Sequence, residues 1–338
     1  MNQVGGSSEG NGQSAALKRL LPKVGGGEVV DRLASLSGSD FTTVMLEVAR
    51  RRAARETPAS LLRRYRNDRF VRPGGTSWQA LRRAEDILMS CLPAGVETLT
   101  LAPLVPLGTH SMLGGISQHR VVTAMRACEV AADATNALAL EAAERRARDK
   151  GKLVRLAAVQ RVARAQHFHA PGAAAHFSLF GLVTAGRDQG SYQFEQDAVA
   201  EHVRFAVRGL AAAGLRGMQL ALTPLSEAGE RMLGPVAEAL SPDPVDVVED
   251  RQREAGHGYY RDLCFKVNAL VHGELEEFGD GGFTDWTMRL TASAKERLLI
   301  SGLGVDRLAP LLSDRDQAAA RTAAGDLVRW AGPGRGGR

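Results

Sequence analysis

The chain has 338 residues, of which 44% are hydrophobic and 24% charged, and it carries a formal net charge of +5. This composition is typical of a globular protein with one large domain or two modest ones. No apolar run approaches the roughly 18 to 20 residues that cross a bilayer. The opening "MNQVGGSSEGNGQSAA" also lacks the apolar core of a signal peptide. We therefore expect no membrane partner.

The cysteines indicate the redox compartment. Cys91, Cys128 and Cys264 lie far apart and form no CxxC pair. Scattered cysteines in apolar or mixed segments are typical of proteins from a reducing environment. The sequence therefore predicts a cytoplasmic protein with free thiols.

The N-terminal region divides into two parts. Residues 1–16 have the composition of a disordered segment, and residues 17–72 are predicted to form a helical extension. Within the extension, residues 50–69 include eight arginines and two acidic residues. Such a stripe either binds nucleic acid or phosphate or forms a solvated helical face that pairs with acids elsewhere. The second interpretation is favoured, because only Tyr65 and Phe70 supply stacking surface.

The sequence "RPGG" separates this extension from a predicted core over residues 73–315. A helix is expected to begin at Thr76, since Thr-x-x-Gln matches a capping box, and to place Trp78 on its apolar stripe. "VETLTLAPLVPLG" then predicts a strand. Because proline cannot donate to a strand ladder, Pro103 and Pro106 favour a position at a sheet edge or an interface.

The remaining core elements combine helices with strands. "NALALEAAERRAR" predicts a helix, supported by Glu141 and Arg145, and by Glu144 and Arg148, at i, i+4. "LVRLAAVQRVARAQHF", "HFSLFGLVTAG" and "GYYRDLCFKVNALVHGE" predict strands. The pattern predicts an α+β fold in which an antiparallel sheet is flanked by helices. Residues 316–338 are expected to form a C-terminal helix and a flexible tail.

Two arginines follow predicted strand ends. "ISGLGVDRL" predicts a buried strand that runs through Gly302 and Gly304 into a helix carrying Arg307. An arginine on a packed scaffold beside a glycine-lined floor usually faces an anion. Arg164, with Gln166, lies at the end of another predicted strand. Two arginines can clamp a triphosphate, so these segments predict a nucleotide site.

Three segments, in order, resemble the motifs of class II aminoacyl-tRNA synthetases. "TSWQALRRAEDILMSCLPAGVETLTLAP" resembles motif 1, and "VQRVARAQHF" with "AHFSLFGLVTAG" is similar to motif 2. This resemblance implies that Arg164 binds the ATP α-phosphate and that Phe177 lies near the adenine. "GLGVDRL" is similar to motif 3, whose arginine is Arg307, on the γ-phosphate side. The resemblance makes these two arginines the expected catalytic residues. It implies a nucleotide site formed by Arg164, Gln166, Phe177, Gly302, Gly304 and Arg307.

Within that class, the chain resembles histidyl-tRNA synthetase and its tRNA-free paralogue, the regulatory subunit of ATP phosphoribosyltransferase. "GYYRDLCF" is similar to the histidine-binding Tyr-Tyr segment, and "GDGGFTD" resembles a Gly-Gly turn of that family. "AADATNALALEAA" resembles the segment that holds the substrate's ammonium group. The resemblance implies that the substrate-binding residues are Asp133, Thr135, Tyr259, Tyr260, Gly281 and Gly282.

The sequence also departs from the family pattern. Gln166 stands where motif 2 has a glutamate, which changes the contact with the adenine amino group. The family's catalytic arginine falls near Ala255, with Arg253 close by in the sequence, and Phe283 replaces an expected arginine. Only 31 residues follow Arg307. We therefore expect no anticodon-binding domain and no ordinary charging of tRNA.

Several candidate residues have a structural interpretation beside the functional one. Asp133 either caps the helix that follows it or contacts a ligand. Glu129 is either a buried partner of Arg126 or a second substrate carboxylate. Tyr259 and Tyr260 occupy opposite faces of a predicted strand, so one is expected to line a pocket and the other to join the core.

A metal site is not predicted. His167 and His169 share one strand face, a spacing that can hold a metal, and His176 lies close in sequence. No cysteine or carboxylate stands at a suitable distance from them, so we interpret them as loop or surface histidines.

Two functions are open on this sequence. The first is an ATP-dependent ligase that activates an amino acid or related carboxylic acid as an adenylate. It would use ATP and Mg²⁺ and transfer the acyl group to a non-tRNA acceptor, such as a protein or small amine. The second is a non-catalytic, ligand-sensing paralogue. Gln166 and the missing arginine favour the paralogue, whereas Arg164 and Arg307 favour the ligase. A pure regulator has no need of a phosphate clamp, so the ligase is the expected function and the regulatory paralogue is the alternative.

The resemblance to motif 1 also implies a homodimer through that segment.

Overall fold

The computed structural model describes residues 15–166 and 174–312. Predictions for 1–14, for His167 and His169 and for 313–338 lie outside these ranges. Within them, the helices are α1 Ala15–Leu20, α2 Gly27–Ser35, α3 Gly38–Ala53, α4 Pro58–Asn67, α5 Trp78–Ser90, α6 Thr109–Gly114, α7 Ala134–Arg148, α8 Gln193–Ala212, α9 Glu227–Leu240 and α10 Trp286–Thr291, with 3₁₀ turns over Leu21–Val24 and Gln118–Arg120. The strands are β1 Glu97–Thr98, β2 Leu104–Pro106, β3 Thr123–Ala124, β4 Cys128–Val130, β5 Val154–Ala163, β6 His176–Arg187, β7 Arg216–Pro224, β8 Asp246–Glu249, β9 Arg261–Val271, β10 Glu274–Thr284 and β11 Glu296–Gly304.

An eight-stranded sheet forms the centre of the molecule, with strand order β1-β5-β6-β11-β10-β9-β7-β8. The six inner strands pair antiparallel, and the short β1 and β8 add parallel partners at the two edges. After β11 the chain is helical over 305–312. The predicted α+β fold, a largely antiparallel sheet flanked by helices, is confirmed.

Helices cover both faces of this sheet. Leu88 of α5, Val203 of α8 and Val236 of α9 are buried in one apolar cluster on the first face. Leu138 of α7 and Trp286 of α10 are buried in a second cluster on the opposite face. Burial of such side chains is the main force that holds helices on a sheet. The two layers leave space for a site between the end of β5, the loop before β9 and the middle of β10.

The N-terminal helices α1 to α4 contain no buried residue. Arg69, just beyond α4, attaches this segment to the core because its guanidinium donates to the carbonyls of Ala165 and Gln166. Within the Arg50–Arg69 stripe, Arg50 and Arg51 pair with Glu47 of α3, and Arg64 pairs with Glu56.

The division of the chain into domains remains a prediction. Within the described ranges, no helix is both long and apolar enough to cross a membrane.

Motif 1 differs locally from the sequence prediction. The helix is capped by Ser77, whose hydroxyl accepts from the backbone N–H of Ala80, because Thr76 instead donates its hydroxyl to Asp306. Trp78 is 73% exposed and does not join the apolar stripe. The single predicted strand is divided between two sheets, since β1 pairs with β5 whereas β2 lies at the edge of a three-stranded sheet, β2-β4-β3. Pro106 lies in β2 at the edge of this sheet, as the sequence predicted.

The predicted ion pairs on α7 are both present. Arg145 lies 2.7 Å from Glu141, and Arg148 lies 2.6 Å from Glu144. The C-terminal part of α7 is also fixed to the sheet, because Arg146 forms a two-point contact with Glu296 of β11 at 2.7 and 2.8 Å. This pair holds the helix that carries Asp133 at its other end.

Candidate functional site

A pocket of about 70 Å³ opens between the start of α7, the end of β5, the loop before β9 and the middle of β10. Its walls combine charged, amide and aromatic side chains with backbone of the loop before β9. The lining residues are His110, Ile116, Arg120, Ala132, Asp133, Asn136, Arg164, Gln166, Arg253, Ala255, Gly256, Tyr259, Tyr260 and Asp280.

One side of the pocket is built on Asp133, the N-cap of α7. Its Oδ1 accepts from the Thr135 backbone N–H at 2.9 Å and from the Thr135 hydroxyl at 2.8 Å. Its Oδ2 faces the guanidinium of Arg164 at 3.3 Å. Arg164 also donates to the carbonyl of Ala132 at 2.8 Å and lies 5.1 Å from the ring centre of Phe177. The capping interpretation of Asp133 is therefore realised, and the same carboxylate faces the pocket.

The other side is built on Arg253, whose side chain is only 1% exposed. Its guanidinium donates to Asp280 at 3.2 Å and to the carbonyl of Ala255 at 2.7 Å, and it lies 5.6 Å from the ring centre of Tyr260. Its Nη1 is buried without a hydrogen-bond partner among the described residues. Burial raises the pKa of Asp280, and the charge of Arg253 opposes that shift.

Tyr259 and Tyr260 both line the pocket. The prediction that at most one of them lines the pocket is wrong, because both precede β9, where side chains need not alternate. The prediction that one joins the core is confirmed, since Tyr260 belongs to the buried cluster that contains Trp286. Their rings meet edge to face with centres 4.9 Å apart, and Tyr259 meets Trp286 in the same way at 5.4 Å. Burial raises the pKa of both phenols. The two hydroxyl groups are therefore neutral at physiological pH.

Glu129 supports the pocket from behind and is not among its lining residues. The carboxylate is fully buried and accepts from the backbone N–H groups of Gly108 at 3.1 Å and His110 at 2.9 Å, and from Gln118 at 3.2 Å. No hydrogen bond or ion pair joins it to Arg126 within the described chain, so the proposed Arg126 partner is wrong. Loop amides take that place because the carboxylate points toward the start of α6.

His110 and Asn136 are pocket residues that the sequence did not single out. The backbone N–H of Ala132 donates to His110 Nε2 at 3.0 Å. The proton must then lie on Nδ1, which donates to Asn136 Oδ1 at 2.8 Å. Asn136 Nδ2 is buried without a partner among the described residues. The sequence did contain one sign of Asn136. An asparagine on the first turn of a buried, Ala-rich helix is unusual, because its side-chain amide competes with the hydrogen bonds of the helix, and it therefore indicates a specific contact.

Strand register places Arg307 on the same face of the sheet as the pocket. Gly302 pairs with both Gly181 and Asp280, and directly paired residues share a face. Gly304 lies two residues further on, and the stem of Arg307 covers it, with Cδ 3.3 Å from where a β-carbon would stand. Arg307 is exposed, donates to the carbonyl of Glu277 and does not line the pocket with Arg164.

The remaining predicted residues divide between the two faces. Gly282 lies against the Tyr260 ring on the pocket face, whereas Gly281 faces Phe265 in the opposite apolar cluster. Adjacent strand residues point to opposite faces, so only one of the two glycines can approach the pocket. Thr135 supports Asp133 and bonds the Tyr259 side chain. Phe283, in place of an arginine, is buried.

The donor groups do not form a metal site. Among the described residues, no group of three or more histidine, cysteine or acidic side chains is arranged to hold a metal ion. Two carboxylates beside Arg307 are already engaged: Glu277, whose carbonyl accepts from Arg307, pairs with Lys266 at 3.5 Å, and Asp306 accepts from the Thr76 hydroxyl and the Ser178 backbone N–H. Protein sites bind Mg²⁺ through carboxylates that are free to coordinate it, together with phosphate oxygens. The described residues around Arg307 therefore do not fit a protein-held Mg²⁺ ion.

Comparisons with known proteins show the fold. An ATP phosphoribosyltransferase regulatory subunit/histidyl-tRNA synthetase from Bacillus halodurans aligns with a TM-score of 0.57 and 13% identity over 76% of this chain and 90% of its own. Apo S. aureus histidyl-tRNA synthetase aligns at 0.54 and 15% identity, covering 72% and 70%. A histidine–tRNA ligase subunit from Alicyclobacillus acidocaldarius aligns at 0.52 and 16% identity, covering 72% and 98%.

No family model and no curated protein matches the sequence. The chain has the fold of a class II aminoacyl-tRNA synthetase core, which confirms at the level of the fold the resemblance that the three motifs predicted. Within that class, the fold is similar to those of histidyl-tRNA synthetase and of the ATP phosphoribosyltransferase regulatory subunit. At these identities, activity has to be argued from the site.

Proposed function

We propose that the pocket binds a small amino acid or related carboxylic acid and that the protein is a ligand-sensing regulatory protein. The observation that carries this proposal is the pairing of two aspartates with two arginines around one small cavity. Asp133 faces Arg164, and Asp280 faces Arg253. Such a cavity offers groups of both signs to a ligand that has an ammonium and a carboxylate group.

The size of the pocket supports a small ligand. Its volume of about 70 Å³ is well below the roughly 300 to 1,000 Å³ of pockets that enclose drug-sized molecules. Gln166, Ala255 and Phe283 replace three polar groups of the synthetase pattern. A binding protein with no adenylation step can lose these groups without losing its pocket.

A second candidate is the ATP-dependent ligase, with ATP and Mg²⁺ as cofactors and a protein or small amine as acceptor. Arg164 and Arg307 favour it, because both lie on one face of the sheet, where Gly302 of β11 pairs with Gly181 of β6, the strand between β5 and β11. A β-carbon at Gly302 would meet no atom closer than 3.5 Å, which leaves room for a flat group. In this candidate Arg164 and Arg307 orient the triphosphate, Asp280 holds the ammonium group, and tRNA is not the acceptor.

One experiment separates the two candidates. Amino-acid-dependent ATP–pyrophosphate exchange is measured with a panel of amino acids, alongside the thermal shift that each amino acid causes. The proposed regulator shows a ligand-dependent rise in the melting temperature without exchange. Exchange that disappears in Arg164→Ala and in Arg307→Ala supports the ligase. The absence of both a shift and exchange with every amino acid contradicts both functions.

Assembly and location are part of the proposal. A homodimer through the motif 1 segment is consistent with three exposed apolar side chains, Leu104 of the edge strand β2, Leu107 just after it and Met112 of α6. The three cysteines form no disulfide in the described structure, which is consistent with a cytoplasmic protein.

A further inference from the structure

We propose that the ligand of this pocket is a small acidic amino acid, with two carboxylates and one ammonium group, rather than a neutral or basic one. This inference deepens the proposed function and rests on it. It follows from a count of the hydrogen-bonding groups and charges that the described protein leaves unmatched.

The acceptors on the Asp133 side are already in use. One oxygen of this carboxylate accepts from the backbone and the hydroxyl of Thr135, and the other faces Arg164. The carboxylate also lies at the N-terminus of the 15-residue helix α7, where the helix dipole stabilises its charge. Asp133 therefore has little capacity left for a ligand ammonium group, and Asp280 is the carboxylate that remains for it.

The groups left over are donors. Arg253 Nη1 and Asn136 Nδ2 are buried and lack hydrogen-bond partners within the described ranges, and both residues line the pocket. Arg253 is only 5% exposed and Asn136 only 2%. A buried donor without a partner is costly. The pocket therefore favours a ligand rich in acceptor oxygens.

Charge gives the same result independently. Three arginines line the pocket, Arg120, Arg164 and Arg253, against two aspartates. Arg120 is half-buried, and no carboxylate pairs with it in the described part of the chain. His110 adds no charge, since its Nε2 accepts a backbone N–H. One positive charge is therefore in excess, and a ligand with a net charge of −1 neutralises it.

The ligand geometry follows from these positions. The ammonium group lies at Asp280, one carboxylate accepts from Arg253 Nη1 and Asn136 Nδ2, and the second carboxylate faces Arg120. The pocket of about 70 Å³ restricts the side chain to a short one. Aspartate and glutamate satisfy this description, whereas their amides lack the second negative charge.

The test is isothermal titration calorimetry of the full chain with L-aspartate, L-asparagine, L-glutamate, L-glutamine, L-histidine and inorganic phosphate. We expect one of the two acids to bind at least tenfold more tightly than its own amide and than histidine. In Arg120→Met, this preference should fall at least tenfold, because the unpaired cation is gone, while binding of the amide is retained. Arg126→Met, at an exposed arginine outside the pocket, is the matched control and should leave the preference unchanged.

Three results overturn the inference. Amides or histidine that bind as tightly as the acids show that net charge does not select the ligand. Phosphate that binds as tightly as the acids shows a simple anion site. An unchanged preference in Arg120→Met removes the proposed role of that arginine. In each case binding of some amino acid leaves the proposed function standing, whereas no binding of any amino acid contradicts both.

Discussion

The guanidinium of Arg253 lies 3.2 Å from the carboxylate of Asp280, and the two side chains are 1% and 10% exposed. The arginine reaches this place from two residues before Ala255, where the family pattern positions its catalytic arginine. Arg253 also donates to the carbonyl of Ala255, and its side chain lines the pocket. A buried charged pair, Arg253 with Asp280, therefore lies close in sequence to the position where the resemblance placed that arginine.

The first prediction concerns this pair. Arg253→Met should abolish ligand binding and lower the free energy of unfolding by about 3–5 kcal/mol, because Asp280 is left as an uncompensated buried charge. The double variant Arg253→Met/Asp280→Leu should recover part of that stability but not the binding. Urea unfolding measures the first quantity and calorimetry the second. Arg251→Met, which removes an exposed arginine two residues earlier, should change neither.

The second prediction compares two glycines. Gly281→Ala should lower stability by about 1–3 kcal/mol, since added atoms in a packed core force neighbours to move. Its β-carbon would lie 2.5 Å from the Phe265 ring and 2.6 Å from the Ile300 carbonyl oxygen. Gly302→Ala is the matched control, because its nearest neighbour would be 3.5 Å away. Equal melting temperatures for the two variants would contradict the assigned faces.

The third prediction concerns the pH dependence of stability. His202 is buried between the Thr184 hydroxyl, 2.9 Å from Nε2, and the Ser301 hydroxyl, 2.8 Å from Nδ1. Burial lowers its pKa from 6.5 to about 3. Below pH 6.5 the unfolded chain binds a proton at this residue and the folded chain does not. The stability that neutral His202 contributes is therefore present above pH 6.5 and is lost at up to about 1.4 kcal/mol per pH unit as the pH falls toward 3.

A His202→Gln variant isolates this effect, since it keeps a donor and an acceptor but cannot titrate. The difference in unfolding free energy between wild type and variant, measured in urea from pH 7.5 to 5, should narrow as the pH falls. A constant difference over that range would show that His202 titrates alike in the folded and unfolded chains.

The fourth prediction concerns the attachment of the N-terminal helices. Arg69 donates to the carbonyls of Ala165 and Gln166, which directly follow Arg164. Arg69→Ala should weaken ligand binding by about 1 kcal/mol, roughly fivefold, because the backbone that positions these pocket residues loses its donors. Arg66→Ala, at an exposed position on α4, is the control and should bind as wild type does. Identical calorimetric affinities for all three proteins would exclude a link between the extension and the pocket.

The fifth prediction concerns assembly. Light scattering during size-exclusion chromatography should give the mass of a dimer at micromolar concentration. Leu104→Asp should shift that mass toward the monomer, since a charge is costly to bury at the edge strand β2. Val44→Asp, on the exposed surface of α3, tests whether the shift is specific to the motif 1 segment. A wild-type monomer would contradict the proposed interface.

The sequence predicted the parts of this structure that depend on local pattern. Alternation identified β9, i, i+4 pairs identified α7, and three short motifs predicted the class of fold. Arg164 was singled out at the end of a predicted strand, and Asp133 by its resemblance to a substrate-binding segment and as a possible helix cap; both line the pocket.

The rest depended on geometry that pattern does not encode. Tyr259 and Tyr260 both line the pocket because the strand begins only at Arg261, so the alternation assumed for the two side chains does not apply to them. Arg253 was only a nearby candidate, because a loop of unknown path separates it from its partner. Glu129 accepts hydrogen bonds from the backbone N–H groups of His110 and Gly108. Because every residue except proline carries such a group, the sequence gives no sign of this contact. Arg307 was expected beside Arg164, but it lies outside the pocket on the same sheet face.

The most direct test of the central claim is equilibrium dialysis of the full chain with a mixture of labelled amino acids, compared with folded Arg253→Lys. We expect saturable binding of one ligand per chain by the wild type. We expect at least a tenfold loss in the variant, because lysine keeps the charge but cannot supply the buried Nη1 donor. Saturable binding of equal strength in both proteins would place the ligand elsewhere and contradict the account.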